Sequence, residues 1–331
     1  MMINPATPEG INHIGVVGGG AWGTALAQTV ANAGKKVTLW TRGALLAGRI
    51  ELTRENAAYL PGVKLSDRIR VTHKAAELAR ANAVLLVCPA QHLRSVLALL
   101  PLWPPVLICA KGIERSSGKL MTEVFRDMVP ASVFGMLSGP SFAPEVARGL
   151  PCAVTIAFED LEFAERIAAA LGTSSFRPYV SNDVTGVAVG GAVKNVLAIA
   201  CGIVEGRGYG ESARAALTAR GFAEMMRFGM ALGARAETLT GLSGLGDLIL
   251  TASSRQSRNF ALGVRLAQGG LLDDTGPLAE GAASAEALVR RGLSMSVDMP
   301  ISQAVAQIVS NRIGVDEAIR ALLSRPFRNE F

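Results

Sequence analysis

The residues best suited to chemistry are lysines in unusual places. Lys194 lies inside GGAVKNVLAI, an apolar stretch with helical character. An ammonium group taken into such a helix loses hydration, so its pKa falls from about 10.4 toward neutrality unless an anion compensates. In the first case it can exchange a proton with a substrate oxygen; in the second it can stabilise negative charge developing there. A lysine snorkelling at a domain junction is the third reading. Asn195 adds an amide donor and acceptor beside it. Asp247, in GLGDLIL, is an acid in an equally apolar setting that requires a cationic partner, and Lys194 is a candidate. Lys111 follows the apolar run VLICA, where open α/β sheets bind ligands if that run is a strand. Ser138-Gly139-Pro140-Ser141 also follows such a run and offers hydroxyls and backbone N–H groups. Ser257-Arg258-Asn259 precedes the helical segment FALGVRLAQ. Ser257 as N-cap, the free N–H groups of that helix end and a guanidinium together suit a phosphate.

A second cluster lies near the N-terminus. In HIGVVGGGAWG the spacing GxGxxG falls on Gly18, Gly20 and Gly23, after an apolar run and before an Ala-rich helix. Gly18 permits the tight turn, Gly20 lets a pyrophosphate approach the backbone, and Gly23 lets helix and strand pack closely. The helix N-terminus supplies N–H groups and partial positive charge. The following strand ends Leu39-Trp40-Thr41-Arg42, without the acid that would bind adenine-ribose hydroxyls. Arg42 is either a pairing group for the 2′-phosphate of NADP or a solvated arginine, and NADPH use at least equal to NADH is expected.

These residues need elements to hold them. The first half alternates short apolar runs with helix-like segments, the pattern of parallel strands joined by crossover helices. Strands are expected near 13–17, 36–40, 69–72, 83–87, 106–110, 133–137, 153–158 and 176–180, the later ones including antiparallel members because connections such as Gly149-Leu150-Pro151 are short. After Ser181-Asn182-Asp183 the chain turns to Ala-rich helical segments. The expected fold class is therefore α/β, with a Rossmann-type dinucleotide-binding domain over 11–183 and an all-helical substrate-binding domain over 184–331.

Composition bounds the function. The chain has 331 residues, half of them apolar and 18% charged, which excludes a disordered or fibrous protein. The net charge of +6 is spread along the chain with no basic run longer than a pair, which argues against nucleic acid and for an anionic small molecule. Of 33 basic residues, 26 are Arg and seven are Lys. Cys88, Cys109, Cys152 and Cys201 are far apart and read as reduced core residues; His13, His73 and His92 lack metal-ligand spacing, so no metal site is expected. The segment VAVGGAVKNVLAIACGIV, residues 187–204, is apolar enough to suggest a membrane span, but a central lysine favours a helix buried within protein. MMINPATPEGIN has no basic-then-apolar leader, and a cytoplasmic location is expected.

Taken together, these stretches resemble the bacterial soluble NAD(P)-dependent sn-glycerol-3-phosphate dehydrogenases. The likeness is carried by GGGAWGTALA at 18–27, LWTR at 39–42, NAAYLPGVKL at 56–65, KGIE at 111–114, SGPSFAPEVARGLP at 138–151, GGAVKNVLAIA at 190–200, GLGDLILT at 244–251 and QSRN at 256–259. The resemblance implies an active site in the cleft between the two domains, with Lys194 as acid/base. It implies that Lys111, Gly139, Ser141, Lys194, Asp247, Ser257, Arg258 and Asn259 contact a phosphorylated triose. Besides the glycine turn, it gives Trp22, Arg42, Lys111, Ala143, Arg258, Leu278 and Glu280 as contacts to NADP or NAD, and it implies a homodimer. Four positions depart from the family pattern: Ser212 replaces a usual Asn, Ala219 a Thr and Ala21 a frequent Ser, while LAEGAAS, which contains Leu278 and Glu280, lacks the usual Thr. The expected reaction is reduction of dihydroxyacetone phosphate to sn-glycerol 3-phosphate, and the reverse. A hydroxy-acid dehydrogenase of the 6-phosphogluconate-like group and a nucleotide sensor without turnover are the rival readings.

Overall fold

A computed structural model describes residues 10–100, 104–270 and 279–326. Ten strands occur among them: β1 (His13–Val17), β2 (Lys36–Trp40), β3 (Glu55–Asn56), β4 (Leu60–Lys64), β5 (Ile69–Thr72), β6 (Ala83–Leu86), β7 (Val106–Ile108), β8 (Phe134–Ser138), β9 (Cys152–Phe158) and β10 (Phe176–Ser181). Eight form one sheet in the order β10-β9-β8-β7-β6-β1-β2-β5. All pairs are parallel except β8 with β9, where Gly135 faces Phe158 and Ser138 faces Thr155. The sequence marks all eight sheet strands to within a residue or two and the antiparallel member among the later ones. It gives no sign of the β3–β4 hairpin, because β3 is two residues long, the pairing is bulged and Pro61-Gly62 interrupts β4.

Helices α1 (Ala21–Asn32), α2 (Ala44–Thr53), α3 (Leu93–Leu97), α4 (Met121–Met128), α5 (Ala143–Ala147) and α6 (Leu161–Leu171) join the strands. The chain runs from β1 outward through β2 to β5, then returns to place β6 on the other side of β1. The crevice beyond the carboxyl ends of β1 and β6 is thus the switch point where such sheets take ligands.

From Val184 the described residues are helical or looped: α7 (Val184–Gly206), α8 (Gly210–Ala231), α9 (Ala236–Thr240), α10 (Asp247–Ala252), α11 (Arg258–Ala267), α12 (Glu280–Ser294), α13 (Pro300–Val309) and α14 (Val315–Leu323). The N-cap of α7 is Asp183, whose side chain accepts from Gly186 N at 2.7 Å. This helix is long and apolar enough to cross a membrane, but 94% of its most apolar window is buried inside the protein. It packs on β8 and β9 as well as on α8, α10, α11 and α12. One sheet face and the helical half consequently share a core that includes Met136, Ala157, Val187, Leu197 and Leu288, while α1, α5 and α6 close a second core on the opposite face.

Two glycines set how closely α7 and α11 approach. A Cβ on Gly202 would lie 2.1 Å from Phe260 O, and one on Gly263 would lie 2.1 Å from Ile199 O. Gly202→Ala should therefore destabilise the protein by about 1–3 kcal/mol through overpacking. In contrast Gly48→Ala, on α2 with nothing within 4 Å of its added carbon, should stabilise it by about 0.4–1 kcal/mol. Urea midpoints of the two variants check the opposite signs, and equal shifts would contradict this account of the packing.

Candidate active site

Lys194 lies midway along α7 and is 7% exposed. Its Nζ donates to Asp247 Oδ1 at 2.5 Å and to Thr251 Oγ1 at 2.9 Å. Lys111, beyond the carboxyl end of β7, donates from Nζ to the other carboxylate oxygen, Asp247 Oδ2, at 2.8 Å and to Gly139 O at 3.5 Å. Ser138 Oγ, at the end of β8, donates to Asp247 Oδ2 at 3.4 Å. One carboxylate, 1% exposed, is thus shared by two ammonium groups brought from different halves of the chain.

Glycines make this convergence possible. A Cβ on Gly190 would lie 2.4 Å from Ser243 O, so the wide π-helical turn Leu242–Gly246 rests directly on α7 and delivers Asp247 to the level of Lys194. A Cβ on Gly191 would lie 3.0 Å from Ser138 Oγ and 3.3 Å from the Lys111 chain. The stem of Lys111 consequently crosses α7 where α7 has no side chain.

The electrostatics follow from burial and charge count. Burial pulls the Lys194 ammonium down to about 8, Asp247 holding it up in part and Lys111 lowering it further. Burial alone would raise Asp247, but Lys111 and Lys194 outweigh it and keep the carboxyl below its ordinary range. At neutral pH the cluster carries two cations against one anion. The surplus positive charge sits in a place poor in water, which suits an oxygen that becomes negative during reaction.

The glycine turn is built as its sequence requires. Gly18 has φ +124°, and a Cβ there would lie 2.6 Å from Val87 O; a Cβ on Gly23 would lie 1.8 Å from Gly18 O. A Cβ on Gly20 would meet nothing within 4 Å, and no side chain caps the first turn of α1. Among the described residues, two buried polar atoms at this edge have no partner: Trp22 Nε1 and Glu280 Oε2. An open cradle of helix-end N–H groups flanked by an unused donor and acceptor fits a dinucleotide. Glu280 accepts from Ala90 N at 3.1 Å through Oε1, and burial raises its pKa, with Arg258 opposing. Arg42 is exposed just beyond β2. Ala143 is the first residue of α5, and Leu278 lies outside the described residues.

At the other end, Ser257 caps α11 by accepting from Phe260 N at 3.2 Å. Arg258 is exposed at the same helix end. Asn259 is buried and spans two helices, donating to Asn195 Oδ1 at 3.0 Å and accepting from Gly281 N at 2.9 Å. Gly139 adopts φ +146° against β9, where a Cβ would lie 2.8 Å from Val154 Cα, and Ser141 Oγ donates to Gly139 O at 3.1 Å. The structure also holds residues that reasoning from sequence passes over. Thr251 is the second partner of Lys194, four residues after Asp247 on the same helix face. Asn56, fully buried, donates to Gly19 O at 2.9 Å and Thr24 Oγ1 at 2.8 Å and so ties the hairpin to the glycine turn. Helical spacing signals Thr251; nothing local signals Asn56.

Comparison with known proteins is consistent along the chain. A model of the NAD-dependent glycerol-3-phosphate dehydrogenase N-terminus matches residues 13–164, and one of its C-terminus matches residues 183–320. The chain is 54% identical over 325 residues to a glycerol-3-phosphate dehydrogenase [NAD(P)+] of Parvibaculum lavamentivorans, covering 96% of this chain and 98% of the relative. It is 57% identical over 321 residues to the protein so named in Bradyrhizobium sp. strain ORS 278, covering 96% and 98%. Among solved structures, a glycerol-3-phosphate dehydrogenase of Coxiella burnetii superposes with a TM-score of 0.89 at 33% identity, covering 95% of this chain and 99% of that one.

The buried ammonium also ties stability to pH. Between about 8, where Lys194 titrates when folded, and its ordinary 10.5, the unfolded chain holds a proton that the native protein lacks. The penalty of burying the charged amine is therefore present below that window and is relieved as pH rises through it. Relative to Lys194→Met, the wild type should gain stability between pH 8 and 9.5, by on the order of 1–2 kcal/mol. Denaturant titrations at the two pH values check this, and a flat or falling difference would contradict it.

Proposed function

Because the chain belongs to the NAD-dependent glycerol-3-phosphate dehydrogenase family, we propose that Lys194 is the proton donor and acceptor of its reaction and that Asp247 and Lys111 set its charge. The protein is an NAD(P)-dependent oxidoreductase that interconverts dihydroxyacetone phosphate and sn-glycerol 3-phosphate. The dinucleotide, when bound, supplies the hydride that goes to the ketone carbon. The chain's own work is to bind, orient and move one proton. The observation that carries this reading is the shared carboxylate: Lys194 is buried yet keeps an anion at 2.5 Å, so its ammonium can stand beside the ketone oxygen and pass a proton to the alkoxide that forms. In the reverse direction the neutral amine takes the hydroxyl proton.

The remaining residues are proposed to hold the two ends of the reactants. Arg258 and the N-terminus of α11 suit the triose phosphate, with Ser257 and Asn259 shaping that helix end. Gly139 and Ser141 close the site from the sheet edge beside Lys111. Gly18, Gly20 and Gly23 with Trp22 and Ala143 suit the dinucleotide, and Glu280 and Leu278 its further contacts. A guanidinium and no acid after β2 support Arg42 as the group that faces the 2′-phosphate of NADP. By family likeness the protein is further proposed to act as a cytoplasmic homodimer that supplies glycerol 3-phosphate for phospholipid synthesis.

Following absorbance at 340 nm, the protein should oxidise NADPH on addition of dihydroxyacetone phosphate but not of a hydroxy-acid precursor ketone. Lys194→Met should lower kcat by about 10²- to 10⁴-fold while NADPH still quenches protein fluorescence; turnover within about tenfold of wild type would refute the assignment. Because the acid must be protonated, reduction should decline as pH rises through about 8 and oxidation of glycerol 3-phosphate should increase through the same range. Arg42→Ala should raise KM for NADPH about tenfold or more with little change for NADH. Equal changes for both cofactors would remove Arg42 from 2′-phosphate recognition.

A further inference from the structure

Lys111 lies in a loop that is held from outside by one helix. Along one face of α12, Glu280 Oε1 accepts from Ala90 N at 3.1 Å and Ser284 Oγ accepts from Ile113 N at 3.1 Å. Farther along, Arg290 donates to Arg115 O at 2.6 Å and Arg291 to Gly118 O at 2.9 Å. Arg291 also pairs with Glu123 on α4. The segment that carries Lys111 is thus tied to the helical half of the chain at Ile113, Arg115 and Gly118.

Of these ties, the one at Ser284 is deepest and nearest the chemistry. Ser284 is 1% exposed, and the amide it holds is two residues from Lys111. Between them, Gly112 leaves no slack: a Cβ there would lie 2.9 Å from Ala90 Cβ and 3.0 Å from Ser284 Oγ. The hydroxyl also bears on a departure from the family pattern, since LAEGAAS lacks the usual threonine but Ser284 offers an oxygen within that segment. Among the described residues, the Ile113 amide has no second acceptor.

We propose that Ser284 is a positioning residue: by holding the Ile113 amide it fixes the Lys111–Ile113 segment so that the Lys111 ammonium stands on Asp247. The proposal rests on the reading of Lys194 and Asp247 as the proton-handling pair. Lys111 acts on Lys194 in two ways that Ser284 would control. It shares the carboxylate that steadies Lys194, and its own positive charge opposes protonation of Lys194. The charged groups that face Lys194 are Asp247 on α10 and Lys111 after β7, so loosening Lys111 leaves Asp247 to Lys194 alone. Lys194 should then titrate higher.

The test is steady-state reduction of dihydroxyacetone phosphate across about pH 6.5–10, some one and a half to two decades on each side of the expected limb near pH 8, by wild type, Ser284→Ala and Ser284→Thr. Loss of one hydrogen bond should raise KM for dihydroxyacetone phosphate about five- to tenfold in Ser284→Ala. The alkaline limb of kcat should move up by about half a pH unit. Ser284→Thr, which keeps the hydroxyl, should restore both. If Ser284→Ala does not fold, Ser284→Cys replaces it, a near-isostere with a weaker acceptor from which a smaller shift in the same direction is expected. A folded variant with lower Tm but wild-type KM and limb would overturn the proposal and leave Ser284 a purely structural tie. A wild type that fails to reduce dihydroxyacetone phosphate would overturn the functional reading itself, and the two failures are distinct.

Discussion

Asp247 is one carboxylate held between two ammonium groups, and most features of the site exist to keep it there. Two cations without it would be buried against each other with no compensation, a state that costs several kcal/mol and that the protein would avoid by losing a proton. With it, Lys194 stays charged at neutral pH yet close enough to its titration point to give the proton away. The lysine's usefulness therefore depends less on its own position than on the elements that bring the acid and the second base to it. Those elements are the wide turn before α10, which delivers Asp247, and the loop after β7, which delivers Lys111. Gly190 and Gly191 on α7 let both approach.

The same helix joins the two halves of the chain. α7 is the core of the helical half and also a layer against β8 and β9, so apolar residues from both halves pack into a single cluster. The site is built across that shared core. Pairing explains the tolerance for a lysine and an asparagine within an otherwise apolar helix: Asn195 bonds to Asn259, Lys194 to Asp247 and Thr251, and neither polar group is left unpaired.

Much of this arrangement is legible in the amino-acid sequence. The spacing of Gly18, Gly20 and Gly23 between a strand and a helix announces the phosphate turn, because the chain has no room for a side chain at Gly18 and Gly23 and Gly20 keeps the helix end open to a ligand. Lys194 stands out because an amine in an apolar run must find an anion, and Asp247 stands out for the opposite reason. Ser257 is visible as a cap from its place before an amphipathic helix. What stays hidden is set by contacts distant in sequence. That Lys111 shares Asp247 depends on a separation of 136 residues, and the Ser284 tie to Ile113 on one of 171. The β3–β4 hairpin is hidden for a local reason, since two residues of β3 cannot show alternation. Asn56 inherits that obscurity, because its value lies wholly in what the hairpin brings it beside.

In the free protein the Lys194 amine titrates well below an ordinary lysine because burial, helped by the Lys111 charge, outweighs the pull of the shared Asp247 carboxylate. With only seven lysines in the chain, uniform ¹³C labelling of lysine gives few enough Cε signals to follow one by one, and the signal missing from Lys194→Met identifies the residue. This signal should move through its titration near pH 8. A midpoint at about 10.4, that of a lysine in water, would contradict it.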